Sequence, residues 1–257
     1  MSGIADARAR AARFVAETGD DVARRRASVL LGAEPLASAN ATLEAWAERA
    51  GVFRGPEGVD PLAALPVLGA LADLRGLDSP LALRIAEALA RVQAGDGSFG
   101  AAGSDEEERV FTTGRLAAGL SGLRSVRRRL LERAADYLAE RFTPERVGGF
   151  AWHPLAAYTP LFANLEHERS DDVLQWCGRE LERGFRAKRF DAVQTGRIWV
   201  DCGAASLPGA KLGAGEILLA LLAEQADDGS WPLASGGGPV ARVAHALDGL
   251  TALMRLA

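Results

Sequence analysis

The spacing of apolar residues along this chain predicts one helix after another and no sheet. Apolar side chains recur three or four positions apart, which is the pattern of helices that bury one side. No segment alternates with a period of two for long enough to predict a strand. The predicted helices are 4–16, 20–31, 38–50, 60–75, 79–94, 112–123, 125–142, 153–165, 170–188, 192–206, 211–225 and 240–256.

Two kinds of helix alternate along the chain. Residues 60–75 are apolar on nearly every side, which indicates burial on both sides, whereas 79–94 are amphipathic. The same couplet recurs, so we expect an inner ring of buried helices inside an outer ring, with the final helix beside the first. An open solenoid is the alternative, but it would need a polar cap at each end. The last helix, with Leu250 and Leu253, has no such cap.

A short phrase, Gln-x-x-Asp-Gly-Ser-aromatic, occurs at 93–99 and again at 225–231. The two copies lie 132 positions apart, which is three steps of 44, and a period of this size indicates stacked helical pairs. Asp-Gly favours a tight turn. We expect the glutamine amide to meet free backbone amides at the start of the next helix, and the aromatic residue to cover the junction. Residues 148–150 look like a degenerate third copy.

Composition narrows the class of protein. The chain has 257 residues, 48% of them hydrophobic, and a length that suits one domain. Its net charge of −4 gives no reason to expect nucleic acid, and two cysteines are too few for a disulfide framework. No signal-peptide pattern and no run long enough to span a membrane is present, so we expect a cytoplasmic protein. The arginine runs at 24–26 and 127–129 are interpreted as solvated helix faces, with a phosphate or partner contact as the alternative.

The repeated phrase resembles the QW repeat of triterpene cyclases such as squalene–hopene cyclase, and equally the repeats of protein prenyltransferase β-subunits. Residues 110–123 also resemble the inner helix that follows the phrase in those families. The resemblance covers roughly 60–257, while the first 55 residues match by helical character alone. It implies a single domain over 1–257, an (α/α)6 toroid whose central apolar cavity accepts an apolar, isoprenoid substrate.

The cyclase resemblance also implies an acid that protonates an alkene. Those cyclases use an Asp-x-Asp-Asp motif, which this chain lacks; Asp201 lies nearest to its position, and Cys202 replaces another of its acids. Asp201 is the proposed acid, and His245 would orient it or accept the final proton. The alternatives are a structural Asp201 paired with Arg197 one helical turn away, and His245 as a cavity-lining or hydrogen-bonded core residue.

Several large side chains are expected at the cavity. Aromatic faces stabilise carbocations, although packing inside the protein is the commoner role of such residues. The expected cavity residues are Phe111, Trp152, His153, Tyr158, Trp199 and Cys202.

No cofactor is expected, with two metal sites as weaker alternatives. Zinc would need Asp201, Cys202 and His245 to converge, although neighbouring helical residues point about 100° apart. Magnesium with a diphosphate would use the acidic run 104–108, which is otherwise interpreted as complementing a helix N-terminus. The pair at 171–172 is interpreted as a helix cap and first turn.

Three functions follow from these features. The first is acid-initiated cyclisation or isomerisation of an isoprenoid. The second is non-catalytic binding of a lipid or peptide in the toroid. The third is prenyl transfer, which requires zinc or a diphosphate site. The sequence makes no prediction of the oligomeric state.

Overall fold

A computed structural model describes residues 2–54, 58–100, 103–233 and 237–257, and over these residues the chain is helical without any strand. The all-α prediction is therefore confirmed. The helices are α1 (Ser2–Thr18), α2 (Asp21–Leu30), α3 (Leu36–Arg49), α4 (Pro61–Asp73), α5 (Pro80–Val92), α6 (Glu106–Ser121), α7 (Arg128–Arg141), α8 (Pro144–Val147), α9 (Trp152–Asn164), α10 (Ser170–Arg186), α11 (Ala192–Cys202), α12 (Ala214–Glu224) and α13 (Pro239–Arg255).

Polar caps set several of the helix starts. Asp60 and Ser79 cap α4 and α5, each followed by a proline in the first turn. The start of α6 differs from the prediction, because Asp105 accepts a hydrogen bond from the amide of Glu108 (2.8 Å) and the helix begins at Glu106. The acidic run is thus the cap and first turn of α6, where negative charge is favourable.

Six helices form a series of neighbours: α4 packs against α6, α6 against α9, α9 against α11, and α11 against α13, which also packs against α2. We call α2, α4, α6, α9, α11 and α13 the cavity helices, because they line the large cavity of the molecule. The flanking helices α1, α3, α5, α7, α10 and α12 pack beside them. Since α1 packs against α13, the final helix lies beside the first, as predicted.

The first copy of the repeated phrase joins two flanking helices, α5 and α7. Nε2 of Gln93 donates hydrogen bonds to the carbonyl oxygens of Gly97 and Leu130, both at 2.9 Å. Gly97 has φ +91°, and a side chain there would collide with the carbonyl of Arg133. The predicted contact of the glutamine with free amides is wrong, because its amide donates to a carbonyl oxygen in the first turn of α7, which keeps a free lone pair.

The second copy makes the same contacts between α12 and α1. Nε2 of Gln225 donates to the carbonyl oxygens of Gly229 (3.1 Å) and Ala7 (2.9 Å). Gly229 has φ +90°, and a side chain there would collide with the carbonyl of Arg10. Arg10 also donates to Oε1 of Gln225 at 2.6 Å. The second junction therefore joins α12 to α1 through the same contacts by which the first junction joins α5 to α7.

The aromatic residues that end both copies are buried, as expected for covers over the junctions. The backbone amide of Phe99 donates to Oγ1 of Thr113 on α6 at 2.8 Å. The indole nitrogen of Trp231 donates to the carbonyl of Leu221 on α12 at 2.9 Å. These bonds attach each turn to the next cavity helix or to the preceding flanking helix. None of the helices in the described ranges combines the length and the apolar character needed to cross a lipid bilayer.

Candidate functional site

A cavity of about 1120 Å³ lies among the cavity helices, mostly toward their carboxyl-terminal ends. A volume of this order suits a small-molecule ligand. All six cavity helices contribute to its wall, for example through Arg26, Leu68, Phe111, Asn164, Trp199 and Asp248.

One part of the cavity wall is apolar. Its larger apolar residues are Leu65, Leu68, Leu77, Phe111, Trp199, Val200 and Leu256. Space is left by small residues on α4 and α6, since a Cβ added at Gly69 would meet no atom within 4 Å and one at Gly119 only Leu68 at 4.0 Å. This part of the wall fits the predicted apolar cavity.

The other part of the wall is charged, which the resemblance did not imply. Six arginines and four aspartates line the cavity: Arg26, Arg75, Arg115, Arg124, Arg197, Arg255, Asp73, Asp78, Asp201 and Asp248. The cavity is therefore amphipathic and carries two more positive than negative charges.

Arg197 on α11 is the centre of an ion-pair network across the cavity. Its guanidinium contacts Asp73 on α4 (2.7 Å), Asp201 on α11 (2.6 Å) and Asp248 on α13 (3.4 Å). Arg115 on α6 contacts the second oxygen of Asp201 at 2.5 Å. The predicted pairing of Asp201 with Arg197 is confirmed, and the network connects four of the cavity helices.

The surroundings of Asp201 favour its ionised form. Burial alone would raise the pKa of this carboxyl, but the charges and hydrogen bonds of Arg197 and Arg115 outweigh burial and hold the pKa below its usual value. An acid that protonates an alkene needs the opposite shift. The contacts of Asp201 are those of the structural, salt-bridged alternative and argue against its role as the acid.

Asp73 is the most deeply buried carboxylate of the cavity wall. Its side chain is 2% exposed and contacts Arg26 (3.2 Å) as well as Arg197. Burial raises its pKa above the usual value, although both arginines pull it down. Because both carboxylate oxygens are held by arginines, Asp73 is not presented to a ligand as a free acid.

His245 and Asp201 are not brought together. Nε2 of His245 lies 3.4 Å from Asp191, the residue that caps the start of α11. Asp201 lies at the other end of α11, roughly 15 Å away along the helix axis. The expected assistance of Asp201 by His245 therefore has no geometric basis.

The zinc alternative fails for the same reason. Cys202 is buried, and burial raises the pKa of its thiol well above the usual value, with Asp201 adding to the shift. Among the described residues, no three His, Cys, Asp or Glu side chains are grouped as a metal site would require. Asp201, Cys202 and His245 are thus not a ligand set.

The other expected cavity residues are divided among three places. Phe111 and Trp199 line the large cavity. Trp152 and His153 line a smaller cavity of about 560 Å³ at the amino-terminal ends of α6 and α9. Tyr158, like Cys202, is buried in the packing between helices and lines neither cavity.

Most of the charged cavity residues were not predicted from the sequence. Asp73, Arg115 and Asp248 each stand in an otherwise small or apolar helical segment, which is the signal that could have identified them. Arg26 carries no such signal, because it belongs to α2, which has exposed charges at Asp21 and Arg24. Arg255 is the last residue of α13, where a basic residue is common at a helix end.

Comparison of the chain with protein-family models, with curated proteins and with solved structures found no match.

Proposed function

We propose that the chain forms a closed double ring, an (α/α)6 toroid with the cavity helices inside and the flanking helices outside. The two equivalent junctions support this arrangement, since Gln93 ties α5 to α7 and Gln225 ties α12 to α1. The packing of α13 against both α1 and α2 is consistent with closure.

We further propose that this toroid binds an apolar, isoprenoid-class ligand in its cavity. The observation that carries the proposal is the cavity of about 1120 Å³ to which all six cavity helices contribute. Its apolar residues would enclose the hydrocarbon chain, which is the usual basis of affinity in pockets of this kind.

The ionisation of Asp201 and the separation of the candidate zinc ligands favour binding over the two catalytic alternatives. Cyclisation or isomerisation by proton donation needs a protonated carboxyl group that faces the ligand, whereas Asp201 is held ionised between two arginines. Prenyl transfer through zinc needs ligands that converge, whereas Asp201 lies at the end of α11 and His245, on α13, lies beside the start of α11. The proposal is therefore ligand binding without proton donation by Asp201.

A cavity-filling substitution tests the proposal. Gly69→Leu places a side chain into open cavity space on α4. Gly215→Leu is the matched control, since its Cβ also meets no atom within 4 Å but lies at an exposed position of α12. Leucine favours helix more than glycine does, so neither variant is expected to melt below the wild type.

Ligand binding is measured by the fluorescence of N-phenyl-1-naphthylamine, a neutral apolar probe, and its displacement by farnesol. We expect the wild type and Gly215→Leu to bind both compounds and Gly69→Leu to bind neither. Mass spectrometry of lipids that co-purify with the protein provides an independent readout. The proposal is refuted if the wild type binds neither compound, or if Gly69→Leu binds them unchanged while folded.

A further inference from the structure

The cavity carries a surplus of positive charge that the ion-pair network does not balance. Six arginines face four aspartates along its wall. Arg75, Arg124 and Asp78 are exposed to solvent, so four partly buried arginines face three aspartates that are buried or partly buried. Water solvates charge poorly in such a partly enclosed space, so a counter-charge there is favourable. A cleft lined mainly by one sign of charge also attracts ligands of the opposite sign. The surplus therefore points to an anionic ligand group.

The surplus is concentrated at the carboxyl-terminal end of α4. Arg26 contacts the carboxylate of Asp73 at 3.2 Å, and Arg255 donates to the backbone carbonyl of Asp73 at 2.8 Å. Arg75 follows Asp73 by two residues and lines the same cavity. The carboxylate of Asp73 thus pairs with Arg26 and Arg197 alone, and Arg255 and Arg75 have no carboxylate partner among the described residues.

These guanidinium groups affect one another electrostatically. Burial lowers the pKa of Arg255, and the positive charges of Arg75 and Arg197 lower it further, while Asp73 opposes them. Nε of Arg26 is buried and has no hydrogen-bond partner among the described residues. An oxyanion placed among these side chains would relieve the repulsion and supply hydrogen-bond acceptors.

The backbone of Arg75 adopts a conformation that is rare for a residue with a side chain. Its φ of +56° lies in the left-handed region, at the end of α4 where glycine is the usual residue. Any residue with a Cβ is strained there, and such strain is concentrated at functional sites. The guanidinium of Arg75 forms no hydrogen bond or ion pair with the described part of the chain that would explain its presence. Its side chain is therefore available to a ligand.

We propose that Arg75, Arg255 and Arg26 bind the oxyanion head group, a phosphate or a carboxylate, of the apolar ligand. This inference rests on the proposed function and specifies its ligand as an amphipathic anion. The planar guanidinium fork matches the oxygens of both head groups. The apolar residues of the opposite wall would hold the hydrocarbon chain.

A purely structural role for these arginines predicts something different. Positive side chains near a helix C-terminus stabilise the helix dipole, and α4 and α13 both end here. If that were the only role of Arg75, its removal would lower the melting temperature. If the head group is its target, Arg75→Gly should relieve strain and leave the melting temperature equal or higher, while binding suffers.

The chain offers a matched control for this substitution. Lys188 has the same φ of +56°, also two residues after the end of a helix, and lies outside the cavity. Its ammonium pairs with Glu224 at 3.0 Å. Lys188→Gly therefore removes one positive charge and one strained side chain without touching the proposed head-group site.

The experiment compares farnesol, farnesoic acid and farnesyl phosphate as displacers of the neutral naphthylamine probe. In the wild type and in Lys188→Gly we expect at least one anionic compound to bind about tenfold or more tightly than farnesol, because its head group gains a charge-assisted hydrogen bond that farnesol lacks. Arg75→Gly and Arg255→Gln should reduce that preference about tenfold and leave farnesol binding unchanged. The stronger of the two anions identifies a phosphate or a carboxylate as the natural head group.

The outcomes separate this inference from the proposed function. Equal binding of farnesol and both anions, or a preference that survives in Arg75→Gly, refutes the head-group site while the toroid still binds apolar ligands. Binding of none of the three compounds refutes the proposed function and this inference together. A lower melting temperature in Arg75→Gly with an unchanged preference assigns Arg75 to the helix end alone.

Discussion

Replacement of Gln225 by alanine tests whether the two ends of the chain are joined. In the structure this side chain donates to the carbonyl oxygens of Ala7 and Gly229 and accepts a hydrogen bond from Arg10 at 2.6 Å. Ala7 and Gln225 are 218 positions apart in sequence. In an open solenoid these residues would lie at opposite ends of the molecule and could not interact.

The expected magnitude follows from these three bonds. A neutral hydrogen bond contributes about 1 kcal/mol and one to a charged group about 1.5–3 kcal/mol, so Gln225→Ala should lower the free energy of unfolding by roughly 2–4 kcal/mol after allowance for partial exposure. A double-mutant cycle with Arg10→Ala should give a coupling energy of about 1–2 kcal/mol. Gln93→Ala, which loses two neutral bonds, should cost about 1–3 kcal/mol and serves as the reference junction.

The assay is urea denaturation of the wild type, the three single variants and the Gln225→Ala, Arg10→Ala double variant, followed by circular dichroism at a fixed temperature. A coupling energy within about 0.3 kcal/mol of zero is what independent sites show. That result would refute the proposed closure of the ring, provided that Gln93→Ala lowers the free energy of unfolding by the expected amount of about 1–3 kcal/mol.

Two further predictions concern the buried titratable groups. Asp201→Asn should destabilise the protein by about 3–5 kcal/mol at pH 7, since Arg197 and Arg115 lose a buried partner. The folded pKa of Asp201 is lowered, so its stabilisation is complete above the ordinary value of 3.8 and is lost as the pH falls below it; the two melting temperatures should therefore converge below pH 3.8 and stay apart above it. Cys177 and Cys202 should resist a thiol reagent at pH 8 in the native protein and react in urea, because burial raises the pKa of Cys177 to about 12 and that of Cys202 well above its usual value; rapid native labelling would contradict their burial.

The helices and their order could be predicted from the sequence because their signals are local. Apolar spacing, the cap at Asp60 and the Asp-Gly turns depend on residues within a few positions of one another. The pairing of Asp201 with Arg197 is also local, since the two lie one turn apart on α11. The short helix α8 escaped prediction because four residues are too few to show a period.

The charged half of the cavity could not be predicted, because it depends on how separate helices are rotated toward one another. Asp73, Arg115 and Asp248 come from three helices far apart in sequence, and only their packing brings them to Arg197 and Asp201. The predicted contact of His245 with Asp201 is wrong for a related reason. His245 on α13 lies beside the start of α11, whereas Asp201 lies near its end. The spacing of apolar residues specifies which face of a helix is buried. It does not specify which residues of two packed helices lie at the same level along their axes.

The contact between α1 and α12 has a consequence for biosynthesis. The carbonyl of Ala7 leaves the ribosome long before Gln225, and at 5–20 residues per second the intervening 218 positions take roughly 10–40 s to translate. During that interval the side of α1 that will meet α12 and α13 is exposed to solvent or to chaperones. Nascent chains stalled before residue 225 should therefore be sensitive to protease in α1, even where the middle helices already resist digestion.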